Sequence, residues 1–202
     1  MTQRAAPERR LRLAAVAIAC APALGLAGRF AIEGIGADPI KELTHTTGEW
    51  ALRFLLVSLA VTPLRRFAGL RRIAPLRRTF GLAAFAYALA HLLVWAILDL
   101  GLDPGALVED VTERPYVMAG MAAFSILAVL AATSTRAAMK RLGPRWPRLH
   151  RAVYAAALLA LLHYFWLIKA DLRPAWAHAA VLAVLLGLRL LWRFRRPAAE
   201  VA

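Results

Sequence analysis

Five histidines are the residues of this chain best suited to hold a metal. An ionisable side chain inside a bilayer is costly, so it normally faces the interior of a helix bundle and marks a functional site. Neutral imidazole escapes most of this cost if one ring nitrogen binds metal and the other donates to a partner. The candidates are His45, His91, His150, His163 and His178.

Depth along the apolar segments separates these histidines. His91 lies 12 residues after Thr79, where one apolar segment begins, and His163 lies 13 residues after His150, where another begins. At 1.5 Å per residue, both are about 18–20 Å from the same membrane edge. Equal depth predicts that His91 and His163 are the axial ligands of one b-type heme held between two helices.

His150 is predicted to bind the iron of a second heme, near the cytoplasmic edge. The matching positions of the other segment, 77–79, hold no histidine, so this second site lacks one histidine ligand. Arg148 and Arg151 flank His150 and disfavour its protonated form, which suits a metal ligand but also suits an interfacial residue. For all three candidates, the alternative role is a simple hydrogen bond to a backbone carbonyl or a neighbouring serine.

The other two histidines favour structural roles. His45 lies among threonines and is expected to be a solvated loop residue or a helix cap, and His178 follows Trp176 near the outer interface. Among the charged residues, Arg77 and Arg148 have three alternative roles: they pair with heme propionates, they bind anionic lipid head groups, or they only set the topology.

The elements that position these residues are membrane helices. The chain has 202 residues, of which 61% are hydrophobic, and its mean hydropathy is +0.58. This composition predicts an all-α membrane protein: a six-helix transmembrane bundle forming one domain over residues 1–202. A cleaved signal peptide is the alternative for the first segment. The six apolar segments cover about 13–30, 50–64, 79–100, 116–135, 152–168 and 175–191.

Charge sets the expected orientation. The formal net charge is +14, but 20 of the 26 lysines and arginines fall in four short regions, at both termini and in 65–78 and 136–151. Ten of the twelve acids lie in the intervening loops. The positive-inside rule therefore places both termini in the cytoplasm of a bacterial inner membrane, and nucleic-acid binding is excluded as the reason for the charge. The single cysteine, Cys20, excludes a disulfide framework or a cysteine-ligated cluster.

Four stretches resemble the MsrQ (YedZ) family, which belongs with the ferric-reductase-like transmembrane domains. The resemblance covers a core of about 45–192. The stretches are TGEWALRFLLVSLAVTPLRR (47–66), RPYVMAGMAAF (114–124), TSTRAAMKRLGPRWPRLHRAVY (133–154) and HYFWLIKAD (163–171).

The resemblance implies a non-catalytic electron-transfer subunit. His91, His150 and His163 match the family's heme ligands, implying one or two b hemes, and FMN is implied without residues to hold it. Electrons are expected from the quinone pool or a cytosolic flavin reductase. The acceptor is a periplasmic, molybdopterin-containing methionine-sulfoxide reductase that repairs oxidised periplasmic proteins.

Two other functions are weighed against this one. A stand-alone transmembrane ferric reductase, or a b-type cytochrome with another partner, uses the same heme ligands. A transporter with a histidine proton relay would favour acids deep in the spans or helices broken at mid-membrane, which this sequence lacks.

Overall fold

The computed structural model describes residues 5–34, 36–169 and 171–194, and all regular secondary structure there is helical. Short 3₁₀ turns at Arg71–Ile73, Gly143–Arg145 and His150–Ala152 connect some of the helices, and α3 continues through a π-helical turn at Val94–Asp99. The helices are α1 (Ala5–Glu33), α2 (Pro39–Phe67), α3 (Leu76–Leu93), α4 (Pro104–Glu113), α5 (Pro115–Ala132), α6 (Arg136–Leu142), α7 (Trp146–Leu149), α8 (Val153–Leu167) and α9 (Arg173–Phe194).

Four helical stretches are long and apolar enough to cross a membrane: Arg9–Glu33, Leu76–Asp99, Pro115–Ala132 and Arg173–Trp192. The other two predicted spans fall on α2 and α8. Helix α2 carries Glu49 and Arg53 within its apolar part, and α8 has only 15 residues because a 3₁₀ turn at its start interrupts the helical path from α7. The all-helical membrane fold is therefore confirmed, while the count of six spans stays a prediction.

Helix α2 forms the centre of the packing. It contributes five buried apolar residues to a core that also includes side chains of α1, α3, α5, α8 and α9. The helix is longer than the apolar segment predicted at about 50–64, since α2 begins at Pro39. Asp38 caps it by accepting a hydrogen bond from the Lys41 backbone N–H at 3.1 Å, and Pro39 occupies the first turn, where an N–H is not needed. The five residues are Leu52, Phe54, Leu55, Leu56 and Leu59.

Two prolines lie inside helices, and a side chain from another helix bonds to the backbone close to each. Pro63 has no N–H for the Leu59 carbonyl, and the Arg189 guanidinium of α9 donates to that oxygen at 2.5 Å. Next to Pro22 of α1, the Tyr87 hydroxyl of α3 accepts from the Ala23 N–H at 3.1 Å and donates to the Ala19 carbonyl at 2.9 Å. Because a bilayer offers no water to such groups, these contacts fix α9 and α1 to the rest of the bundle.

The connection over 101–115, predicted as an acidic loop, is mostly helix α4. Asp103 caps this helix by accepting from the Gly105 N–H at 2.9 Å, and Pro104 follows it. Asp110 on α4 is buried, and its carboxylate accepts from the Trp95 indole N–H at 3.0 Å. Helix α4 is therefore held against the end of α3, and Trp95 reaches it from the π-helical turn.

Candidate heme-binding site

His91, near the end of α3, is held by the neighbouring helix α2. Its Nδ1 lies 2.9 Å from the backbone carbonyl of Thr44. Because a carbonyl only accepts, Nδ1 carries the proton, and Nε2 keeps its lone pair for a metal. One turn after Thr44, Gly48 lets the ring lie against the helix, since a Cβ there would stand 3.0 Å from Nδ1.

His163, on α8, is held by α5 in the same way. Its Nδ1 lies 2.6 Å from the backbone carbonyl of Tyr116, so that its Nε2 is also free to bind metal. Gly120 stands one turn after Tyr116, and a Cβ at this position would meet Nδ1 at 2.8 Å. Any larger side chain would push the imidazole off the helix.

The two arrangements share one register. In each, the histidine follows its carbonyl partner by 47 residues, and the glycine follows the same partner by four. The helix pair α2–α3 is thus repeated as α5–α8. A shift of 72 residues also pairs the fully buried Ala84 with the fully buried Ala156. The sequence shows no internal repeat to the eye, because the match lies in spacing and backbone contacts and involves few identical residues.

The structure brings His91 and His163 together, as equal depth predicts. Their ring centroids lie 6.1 Å apart, with the ring planes at 82°. Two metal–nitrogen bonds of about 2 Å, added to the ring radii, need roughly 6 Å between imidazole centroids. The spacing, the free Nε2 atoms and the glycines therefore fit a heme iron held by two imidazoles. Elsewhere in the described residues, no three His, Cys, Asp or Glu side chains gather as a metal site.

A cavity between the two helix pairs surrounds the histidines. Its walls are mostly apolar, and both supporting glycines line it. Glu49 stands on the wall and is fixed by the Arg53 guanidinium at 2.5 Å and by the Tyr164 hydroxyl at 3.3 Å. Apolar walls exclude water, while the charged groups suit the polar edge of a cofactor. The apolar lining includes Leu52, Leu55, Ala88, Val117, Phe124, Leu127 and Ala160.

A polar network connects helix α4 to the support of His163. Arg114 bonds the Asp110 carboxylate at 2.9 Å and donates to the Tyr116 hydroxyl at 3.1 Å, while the Tyr116 carbonyl orients His163. The hydrogen bond to Tyr116, together with the charge of Asp110, raises the pKa of Arg114. Arg114 also lines the cavity. Neither this residue nor the two supporting glycines was singled out from the sequence.

His150 lies apart from this pair. Its Nε2 is 3.1 Å from the Thr133 hydroxyl of α5, and its ring stacks on Trp146 with centroids 4.0 Å apart. Burial and the nearby Arg77 guanidinium lower the pKa of His150, so its neutral form is favoured. None of the described residues hydrogen-bonds its Nδ1.

For the remaining two histidines, the structure contradicts one interpretation made from the sequence and fits the other. The interpretation of His45 as a loop residue or cap was wrong, because α2 begins six residues earlier, and His45 lies within it at the edge of the cavity. The Nδ1 of His178 lies 2.6 Å from the carbonyl of Pro174 one turn before, and its ring packs edge-on against Tyr164. This contact fits the structural role expected of His178.

Comparison with known proteins identifies the family of the chain. Residues 47–161 match the family described as "Ferric reductase like transmembrane component", a range that includes Gly48, His91 and Gly120. Over 171 residues the chain is 50% identical to the protein-methionine-sulfoxide reductase heme-binding subunit MsrQ of Bordetella pertussis, covering 83% of each chain. The chain belongs to the MsrQ family.

Other relatives carry the same description. The MsrQ protein of Ralstonia nicotianae is 44% identical over 190 residues, covering 93% of this chain and 88% of its own. That of Xanthomonas euvesicatoria pv. vesicatoria is 47% identical over 161 residues, covering 80% and 73%. No solved structure matches the chain. The resemblance seen in the sequence is thus confirmed.

Proposed function

We propose that this chain is a heme-b electron-transfer subunit of a methionine-sulfoxide reductase system in the bacterial inner membrane. The observation that carries the proposal is the pairing of His91 and His163, each with Nδ1 on a carbonyl and the two rings 6.1 Å apart. Membership of the MsrQ family supports it, because the relatives are described as heme-binding subunits of that reductase.

The chain's own residues do three things at this site. The Thr44 and Tyr116 carbonyls fix the tautomer and plane of each imidazole and make it a better donor to iron. The small residues Gly48 and Gly120 let both rings approach, and the apolar wall keeps water out. When bound, heme supplies one-electron redox chemistry, whose potential depends on axial ligands and burial.

The direction of electron flow follows from the proposed topology. With six spans and both termini in the cytoplasm, His91 and His163 lie toward the periplasmic side, near the acidic helix α4. Electrons would enter from the quinone pool or a cytosolic flavin reductase. They would leave to a periplasmic, molybdopterin-containing partner that repairs oxidised methionine residues in periplasmic proteins.

We also propose that His150 binds the iron of an inner heme on the cytoplasmic side. Its unengaged Nδ1 and the neighbouring Arg77 support this role, since a neutral imidazole is the form that binds iron. We assign no residue to FMN.

Heme per chain, measured as the pyridine hemochrome of the purified protein, tests these assignments. His91→Ala and His163→Ala should each remove the bis-imidazole b-type spectrum of the outer heme. His150→Ala should lower the heme content from two to one per chain and leave that spectrum. His178→Ala is the matched control and should keep full heme content, because His178 does not line the cavity. Wild-type heme in both His91→Ala and His163→Ala would disprove the site.

A second candidate function is a transmembrane ferric reductase, which the family match at residues 47–161 favours. The two functions differ in the final acceptor. Chemically reduced protein should be reoxidised by the periplasmic reductase far faster than by a ferric chelate if the first proposal is right. The reverse order of rates would select the ferric reductase.

A further inference from the structure

A long groove separates helix α1 from the rest of the bundle. Its volume is about 1010 Å³, and its walls come from α1, α2 and α3. The walls are dominated by small and apolar side chains, among them Val16, Ala23, Leu26, Leu82, Ala83 and Ala86. The residues that line it are all different from those that line the heme cavity, so the two spaces are distinct.

Two arginines close one end of the groove. Arg12 of α1 and Arg78 of α3 both line it, and both side chains are exposed. Within the described part of the chain, neither forms a salt bridge with a carboxylate. Tyr87 bonds Ala19 and Ala23, which fixes the register of α1 against α3. Arg78 lies nine residues before Tyr87 on α3. On α1, Arg12 lies nine residues before the point midway between Ala19 and Ala23, the two residues that Tyr87 bonds. At 1.5 Å per residue, both arginines are therefore about 13 Å along their helices from the Tyr87 contact, at the same depth.

The groove is long enough for an acyl chain. Along α3 its lining extends from Arg78 to Ala90, about 18 Å, and along α1 from Arg12 to Phe30, about 27 Å. One leaflet of the hydrocarbon core is about 15 Å thick, so an acyl chain of one leaflet fits within this length. A ligand with an anionic head at the arginines and an apolar tail therefore has complementary charge and shape.

Charge at the end of the groove favours a lipid with an anionic head over a quinone. The Tyr87 and Thr47 hydroxyls donate to the Ala19 and Leu43 carbonyls, while Thr46 and Thr79 also line the groove. The two guanidinium groups at the end are available to bind phosphate oxygens. A neutral quinone ring has no charged group to offer them, whereas the phosphate of a lipid does.

We infer that this groove is a binding site for an anionic glycerophospholipid, whose phosphate lies on Arg12 and Arg78 and whose acyl chain runs between α1 and α3. The lipid fills the space between α1 and α3 beside the Tyr87 contact. It therefore holds α1 in place and stabilises the bundle from the cytoplasmic leaflet.

Lipid titration of the purified, delipidated full chain tests this inference. Phosphatidylglycerol and phosphatidylcholine with identical acyl chains are added, and binding is followed by native mass spectrometry and by the thermal unfolding midpoint. Each basic residue at a lipid surface favours anionic head groups, and two together should give phosphatidylglycerol about 30-fold tighter binding. In the Arg12→Gln/Arg78→Gln double variant, the preference for phosphatidylglycerol over phosphatidylcholine should fall to the level that the remaining basic residues of the surface give.

Three comparisons make the result decisive. The Arg141→Gln/Arg145→Gln variant removes the same charge from exposed cytoplasmic positions outside the groove and should keep the preference. Ala86→Trp should weaken both lipids by filling the groove. Inorganic phosphate should not raise the unfolding midpoint. An equal loss in the control variant, an equal effect of phosphate, or displacement of lipid by a short-chain quinone would each overturn the inference. None of these readouts depends on heme.

Discussion

Gly120→Ala places a methyl group directly against the imidazole of His163. The added Cβ would stand 2.8 Å from Nδ1, which is 0.6 Å closer than the 3.4 Å at which ordinary contact begins. The ring would have to move away from α5, and its 2.6 Å bond to the Tyr116 carbonyl would stretch by a comparable amount. The substitution therefore displaces a proposed heme ligand without removing any of its ring nitrogens.

The expected size follows from the crowding. Inserting an extra carbon into a tightly packed site costs about 1–3 kcal/mol, which converts to roughly 5–150-fold weaker heme binding. Gly48→Ala should have the same effect at His91 but a smaller one, because its Cβ would stand 3.0 Å from Nδ1. The order of severity, Gly120 above Gly48, comes from these distances alone.

The assay is a heme titration of the apoprotein followed by its reduced-minus-oxidised spectrum. Gly187→Ala on α9 is the matched control, since a Cβ there meets nothing within 4 Å. Alanine is favoured over glycine in a helix by about 1 kcal/mol, so the control should be slightly stabilised with unchanged heme affinity. If Gly120→Ala also keeps wild-type affinity, the proposed packing of His163 against α5 is refuted.

Three further predictions concern the contacts that position the helices. Arg189→Met should lower the free energy of unfolding by about 1.5–3 kcal/mol, and less in a Pro63→Ala background, where the restored N–H satisfies the same carbonyl; equal losses in both backgrounds would contradict the pairing. Tyr87→Phe should expose α1 to limited proteolysis while the heme spectrum stays unchanged, and unaltered cleavage would argue against its bridging role. Asp110→Asn should weaken the bond to Arg114 and shift the midpoint potential of the outer heme, measured by redox titration. An unchanged potential would show that the Asp110–Arg114 contact on α4 does not influence that heme.

Sequence by itself determined the class of this protein and its family. Hydropathy and the alternation of basic and acidic segments specify a helical membrane protein, because a bilayer tolerates few other arrangements of the backbone. Equal depth was enough to predict that His91 and His163 meet, since depth in a helix is proportional to residue number. The quoted motifs were enough to place the chain in its family.

Only the tertiary structure decided how the histidines are held. The partners of His91 and His163 are backbone carbonyls, which every residue carries, so no side-chain pattern reveals Thr44 or Tyr116 as the acceptors. A glycine inside a helix is ordinarily a weak point, and only the neighbouring ring explains Gly120. Position within one helix follows from counting residues, whereas contacts between helices depend on rotation and crossing, and these are set by packing.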